Sequence, residues 1–464
     1  MIVLKVNNEI FYDDALVLVK MFYPRHEVLM YGKENKSGEE EEFTIEPWIP
    51  ETEGKEKKQY HEEFKSRLYE DLVKKTGQNL PWGYLTGVRP SKIAYQMLDE
   101  GAEDSEILDE FVKKHKASTD KANLALNVAK HERKLLTAKD YSSGYSLYIG
   151  IPFCPTTCLY CSFTSYSILG YKNQVDDYLT ALIKEMRATY EIMKGQRLDT
   201  IYFGGGTPTT LESAQLDRLL TALEETFARD GLEGIELTVE AGRPDSITRE
   251  KLEVLRKHQV QRISINPQTM NQKTLDLIGR HHTVEQIKES FYTARELGFE
   301  NINMDIILGL PDEGFKEVTK TLDDIRQMAP ESLTMHSLAI KRAAGLNIWR
   351  DRFKNLSLEN DDATVKLCEK TAADLGLEPY YMYRQKNMTG NFENVGYAKP
   401  GFECMYNILI MEEIQTIVAL GAGAATKRVW NNGRIERATN VKDVKMYLAE
   451  TDEMIRRKQE LFQM

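Results

Sequence analysis

At 464 residues the chain is longer than one ordinary domain, and a prior of roughly 100–200 residues per domain suggests two or three. Its 41% hydrophobic content can form a sizeable core, whereas a formal net charge of −11 gives no general basic footprint, so no nucleic-acid partner is expected. No apolar run reaches the about 18 residues that a membrane span needs. The apolar start MIVLKV is broken by Lys5 and followed by Asn7, Asn8 and Glu9, so it reads as a strand and not a signal peptide. The expected location is therefore cytoplasmic, where thiols stay reduced.

Residues 1–140 are expected to form an N-terminal α+β domain. IVLKV, ALVLVK and HEVLM are β-like runs, Glu39 to Glu42 form a solvated acidic loop, and a helix is expected from about Glu62 to Lys75. In LPWGYLTGVRPSKIAYQML, Pro90 suits the first turn of a helix, with Arg89 and Lys92 beside it. A plain helix start is preferred there over a carboxylate-binding site.

From residue 141 to 345 the pattern becomes α/β. SLYIGI, DTIYFGG, GIELTVE, QRISINP, INMDIILGL and LTMHSLAI are strand-like, and each of the first five is followed by a helical segment. About six such units imply a parallel sheet in a closed or partial β/α barrel. Cys154, Gly204 to Thr207, Glu240, Gln268 and Gly309 all fall at or just beyond C-terminal strand ends, the face on which barrel enzymes carry their chemistry. Residues 346–464 are expected to form a mainly helical C-terminal domain with a few short strands. In it, the small residues of ALGAGAAT allow close approach, either of a cofactor or of another packed segment.

CPTTCLYC, from Cys154 to Cys161, places three of the five cysteines in a C-x-x-x-C-x-x-C pattern. Full ligation of a [4Fe-4S] cluster takes four cysteines, so three would leave one iron open to a small ligand. A helix with the three thiols on one face is disfavoured by Pro152 and Pro155. Structural zinc needs a fourth ligand, and the nearest histidines, His131 and His115, lie outside any short knuckle spacing. GGGTP, Gly204 to Pro208, offers backbone groups in a sharp turn and could bind the amino-acid end of S-adenosylmethionine (SAM); turn geometry alone also accounts for such a run. Glu240 reads either as an acceptor for an ammonium or ribose hydroxyls or as a solvated carboxylate. Gln268, Arg280 and Asp305 are weak signals singly, but could approach one barrel mouth.

YIGIPFCPTTCLYC, IYFGGGTPT, RISINPQT, NMDIILGLP and PGFECMYN, in this order over residues 145–430, resemble the motifs of the oxygen-independent coproporphyrinogen III dehydrogenase family of radical SAM proteins. LTGVRPSK and the long leading domain resemble its HemZ-type branch, and residues 346–464 its HemN-like C-terminal domain. The resemblance implies a radical SAM partial barrel, a [4Fe-4S] cluster, one SAM with a possible second, a tetrapyrrole substrate and a low-potential electron donor such as flavodoxin or ferredoxin. It implies that a radical derived from SAM takes hydrogen from a propionate, which loses carbon dioxide and an electron to leave a vinyl group. Residue by residue, Cys154, Cys158 and Cys161 match the cluster ligands, and Tyr148, Gly205 and Glu240 match contacts to the first SAM. Tyr160, Gly206, Thr207, Gln268, Arg280, Asp305 and Ser337 match positions lining a second SAM site.

Two positions depart from the family's patterns. The best-known dehydrogenases carry a fourth cysteine where this chain has Phe163, and in this the cluster loop resembles that of the related heme chaperones. Those chaperones carry His-Asn-x-x-Tyr-Trp where this chain has Tyr406, Asn407, Ile410 and Met411. The first reading is therefore an enzyme acting on coproporphyrinogen III. The alternatives are a heme carrier, with the Tyr406 phenolate as its one plausible axial ligand, and a radical SAM enzyme on RNA or a peptide. Arg89, Lys92, Arg262, Lys341, Arg342 and Arg384 are the candidate partners for substrate carboxylates.

Overall fold

A computed structural model describes the chain apart from residues 25, 33–39, 88, 164, 228–233, 342–343, 349–355, 387 and 464, and the side chain of Asn347. Glu39 of the acidic run and Arg342 of the candidate cations lie outside the described residues. The chain divides into two compact units, residues 1–130 with 382–393, and residues 131–381 with 394–464.

In the first unit β1 (Ile2–Leu4) lies between β2 (Val28–Met30) and β3 (Phe43–Ile45), parallel to both. The helix Tyr12–Phe22 takes in ALVLVK, which the sequence suggested was strand-like. Its apolar residues recur on a helical period, burying Ala15, Leu18, Val19 and Phe22, while Asp13 and Asp14 in the first turn and Lys20 in the last complement the helix dipole. With Phe64, Leu68 and Leu72 of the helix Lys57–Thr76 they form one apolar core over β1. Pro90 immediately precedes the helix Ser91–Asp99. The inserted segment 382–393 is tied in by Glu393, whose buried carboxylate accepts from Trp82 Nε1 at 2.6 Å and Lys121 Nζ at 2.7 Å.

The second unit is built on β4 (Gly144–Ile151), β5 (Phe153–Cys154), β6 (Tyr166–Ser167), β7 (Arg197–Gly205), β8 (Glu236–Gly242), β9 (Arg262–Ile265), β10 (Asn301–Leu308), β11 (Ser332–Ser337), β12 (Glu378–Tyr383), β13 (Asn394–Ala398), β14 (Thr416–Leu420), β15 (Ala425–Val429) and β16 (Ile435–Thr439). All six strands expected from residues 141–345 are present. They lie side by side and parallel in the order β4-β7-β8-β9-β10-β11, with helices between them. Parallel strands covered on both faces read as continuous apolar runs, which is why this part of the sequence was legible. The C-terminal segment extends both edges: β13 pairs antiparallel with β11, and β14 pairs parallel with β4. Among the described residues the full sheet has eleven strands, open from β12 to β16, so the α/β architecture is a partial barrel.

The ALGAGAAT turn after β14 is used for packing. Gly421 has φ +97°, and a Cβ there would stand 2.5 Å from both Gly150 O and Tyr178 Oη. Its N–H donates to Glu185, whose buried carboxylate also accepts from Tyr447 Oη, Asn440 Nδ2 and Lys458 Nζ at 2.6, 2.7 and 2.5 Å. The helix Thr451–Gln463 is thereby fastened beside the end of β4. Among the described residues no helix is long and apolar enough to cross a membrane.

Candidate functional site

The cysteine loop leaves the C-terminal end of β4 and is closed at its base by pairing of β5 with β6, Phe153 opposite Tyr166 and Cys154 opposite Ser167. Pro152 and Pro155 keep it out of a helix, as expected. Leu159 N donates to Ile278 O and Leu346 N to Leu159 O, so the loop is pinned against the chain that follows β9 and β11. Leu159, Ile278, Ile307, Leu310, Leu338 and Leu346 form an apolar bed under it. Cys154 and Cys158 are buried, Cys161 less so. Burial pushes the Cys154 thiol up to about 11 and raises that of Cys161.

The GGGTP turn is hydrogen-bonded directly to this loop. Gly206 N donates to Ile151 O and Thr207 N to Phe153 O, both at 2.7 Å, and Thr207 Oγ1 lies 3.6 Å from Cys154 Sγ. A Cβ on Gly206 would stand 2.5 Å from Phe153 O, so the third position of the run has no room for a side chain. Gly205 is exposed.

On the inner face, Tyr148 of β4 and Tyr202 of β7 are paired in register and stack at 6.3 Å. Tyr202 Oη donates to Glu240 at 2.5 Å at the end of β8. Burial pushes the Glu240 carboxyl up to about 7, against the pull of the Tyr202 hydroxyl. Tyr202 was missed in the sequence, although it stands two residues before the glycine run on the same side of its strand. Gln268 takes φ +66° and donates its N–H to Asp305 O at 2.9 Å. Asp305 accepts from Asn303 Nδ2 at 2.7 Å and lies 3.8 Å from His336 Nε2; these partners hold its carboxyl below the usual range although burial opposes them. Arg280 is buried, and its charge acts on both Tyr160 and Cys158. Burial raises the Tyr160 phenol. Ser337 ends β11 with its hydroxyl accepting from Asn360 Nδ2 at 3.0 Å.

The candidate cations fall in different places. Arg262 and Arg384 are buried, the first bonded to Ser332 Oγ at 3.2 Å and the second to Leu85 O, so both are interior side chains. Arg89 and Lys92 belong to the first unit. Lys341 lies with Nζ 5.5 Å from the ring centre of Phe163, an aromatic that is 71% exposed beside the cysteine loop. Tyr406 is buried against Tyr202, ring centres 4.5 Å apart, and its phenol is held well above the usual range by burial. Glu236, at the opposite end of β8 from Glu240, accepts from the backbone N–H groups of Met405 and Tyr406. Within PGFECMYN, Cys404 and Tyr406 are therefore buried packing side chains.

The residues fit the cofactors implied. The donor set is three thiols with two arginines, Arg243 and Arg280, beside Cys158, which suits an anionic iron-thiolate centre. Among the described residues no three His, Cys, Asp or Glu side chains are grouped around a single metal-ion position. A cluster does not need that, because it spreads its thiolates over separate irons. Among the described residues Gln268 Oε1 and Arg280 Nε are buried and find no hydrogen-bond partner, and such atoms, rare in proteins, suit a polar ligand.

The pattern of the radical SAM superfamily matches residues 148–325. The oxygen-independent coproporphyrinogen-III oxidase-like protein HemZ of Bacillus subtilis is 41% identical over 86% of this chain and 81% of its own length. The heme chaperone HemW of Lactococcus lactis is 34% identical over 60% of this chain and 69% of its own. The solved structure of coproporphyrinogen III oxidase (HemN) from Escherichia coli, a radical SAM enzyme, superposes with a TM-score of 0.53 at 24% identity, covering 70% of this chain and 73% of that one. That last likeness is one of fold.

Proposed function

The chain belongs to the HemZ-like group of radical SAM proteins, and on that premise we propose that it decarboxylates propionate side chains of coproporphyrinogen III to vinyl groups without oxygen. A [4Fe-4S] cluster and SAM are the family's cofactors; when bound and reduced they supply a radical able to take a hydrogen atom from a propionate. The observation that carries the reading is the direct hydrogen bonding of the three-cysteine loop to the GGGTP turn, which fixes thiols and cofactor-binding backbone together at one barrel mouth. Cys154, Cys158 and Cys161 hold the cluster. Tyr148, Gly205 and Glu240 orient the first SAM, and Tyr160, Gly206, Thr207, Gln268, Arg280, Asp305 and Ser337 line the space for a second. A low-potential donor such as flavodoxin or ferredoxin supplies the electron. The domain reading, with residues 1–140, 141–345 and 346–464 as successive modules, goes with this proposal.

Half-buried Lys341 beside exposed Phe163 forms a cation and aromatic surface suited to a propionate-bearing macrocycle. The deciding experiment is anaerobic incubation of reconstituted protein with SAM, a low-potential reductant and coproporphyrinogen III. Deoxyadenosine, methionine and vinyl product are expected only when all components are present, and Lys341→Glu is expected to slow turnover at least tenfold with cluster and SAM binding intact. Tight heme binding lost in Tyr406→Phe, with no vinyl product, would instead identify a carrier. The burial of Tyr406 speaks against that outcome.

Glu240 gives a pH dependence. Its carboxyl titrates near about 7 in the fold, above its usual 4.5. The stability it contributes without ligand is therefore full below its unfolded value and lost as pH rises through its folded one. A cationic ligand needs the ionised form, so SAM affinity is expected to rise roughly tenfold between about pH 6 and pH 8. Glu240→Gln should flatten that profile and weaken binding by about tenfold or more, one charge-assisted hydrogen bond being worth roughly 1.5–3 kcal/mol. An unchanged profile by calorimetry removes Glu240 from the cofactor contacts.

A further inference from the structure

Arg243, which no sequence motif pointed to, stands just beyond the end of β8 and is 3% exposed. Its Nη1 donates to Thr156 O at 2.9 Å and to Thr156 Oγ1 at 2.8 Å, and reaches Cys158 Sγ at 3.7 Å. The other edge of the guanidinium forms a bidentate pair with Asp245, Nε to Oδ1 at 3.0 Å and Nη2 to Oδ2 at 2.7 Å. Asp245 faces buried His282 at 3.7 Å. Charge is therefore laid out in a line: thiol, guanidinium, carboxylate. The cation points at the sulfur, and the anion lies behind it.

We propose that Arg243 and Asp245 set the reduction potential of the cluster held by Cys154, Cys158 and Cys161, Arg243 raising it and Asp245 holding it down. The inference rests on the cluster reading above. Reduction brings one electron from the donor and makes or breaks no bond, so it adds one negative charge beside three thiolates. Hydrogen bonds to the sulfurs and nearby positive charge stabilise that added charge, and a nearby carboxylate opposes it. The bidentate pairing also fixes the guanidinium so that the same edge always meets the cysteine loop.

The two halves of the pair predict shifts of opposite sign, which a merely structural role would not produce. Potentials are read by paramagnetic resonance during a dithionite titration of reconstituted protein, after iron and sulfide have been counted. Arg243→Gln is expected to make reduction about tenfold less favourable, which for a one-electron couple is about 59 mV downward. Asp245→Asn keeps the guanidinium and its contacts to the loop while removing the counter-charge, and is expected to move the potential upward. Unchanged potentials with full iron content, or shifts of the same sign in both variants, overturn the inference and leave the cluster reading standing. If Arg243→Gln takes up no iron, the Asp245→Asn shift alone decides, an unmoved or lowered potential overturning the inference. Wild-type protein that takes up no iron overturns the cluster reading instead.

Discussion

Cys158→Ala is expected to abolish the cluster, so that a protein binding about four irons and four sulfides after anaerobic reconstitution binds essentially none. Beyond Cys154 and Cys161 the loop holds no soft donor to replace Cys158, and its pinning by the Leu159 and Leu346 backbone bonds leaves little freedom to recruit one. Cys368 and Cys404 are the internal controls. Cys368 is fully buried in the helix Asp362–Asp374, and Cys404 lies next to Glu236 at the opposite end of β8 from Glu240. Burial pushes the Cys404 thiol up to about 12, so it stays protonated in ordinary conditions. Alanine at either position should retain the iron. Loss of iron in Cys368→Ala as complete as in Cys158→Ala would refute the three-cysteine assignment, by iron assay and absorbance alone.

Lys458→Met is the second large effect. Both members of the Lys458 and Glu185 pair are buried, their side chains 1% and 0% exposed. Removing one partner leaves an uncompensated interior charge, a loss of about 3–5 kcal/mol. Three neutral donors remain on Glu185, and they do not replace the cation. Denaturant unfolding should show the loss as a lower midpoint, and Glu185→Gln combined with Lys458→Met should recover part of it, because the double variant buries no charge. A single variant as stable as the wild type would mean that the pair is hydrated in solution.

The six parallel strands and the cysteine and glycine runs could be read from the sequence because each is a local signal, an apolar run or a fixed spacing. The helix Tyr12–Phe22 was misread because a short run such as ALVLVK is apolar enough for either period, and the buried set Ala15, Leu18, Val19 and Phe22 separates the two only with its flanking residues. Arg262 and Arg384 read as candidate carboxylate partners from the sequence, because charge says nothing of depth, and both are buried. Arg243 and Cys158 are 85 residues apart, and Glu185 and Lys458 are 273 apart. Polar pairs made across such distances leave no periodicity, so neither the tuning pair nor the C-terminal fastening had a signature to find.

The pairing of β4 with β14 also fixes when the sheet around the cysteine loop can be completed during synthesis. Ser146 and Gln415, bonded across that edge, are 269 residues apart, and Lys458 comes later still. The strand that launches the cysteine loop is therefore left without one neighbour until the segment around Gln415, 269 residues beyond Ser146, has been made. Contacts of such long range close slowly. Metal loading that waits for them follows the synthesis of β14, and a chain cut short before that strand would carry the cysteine and glycine motifs yet present its thiols from an unfinished sheet edge.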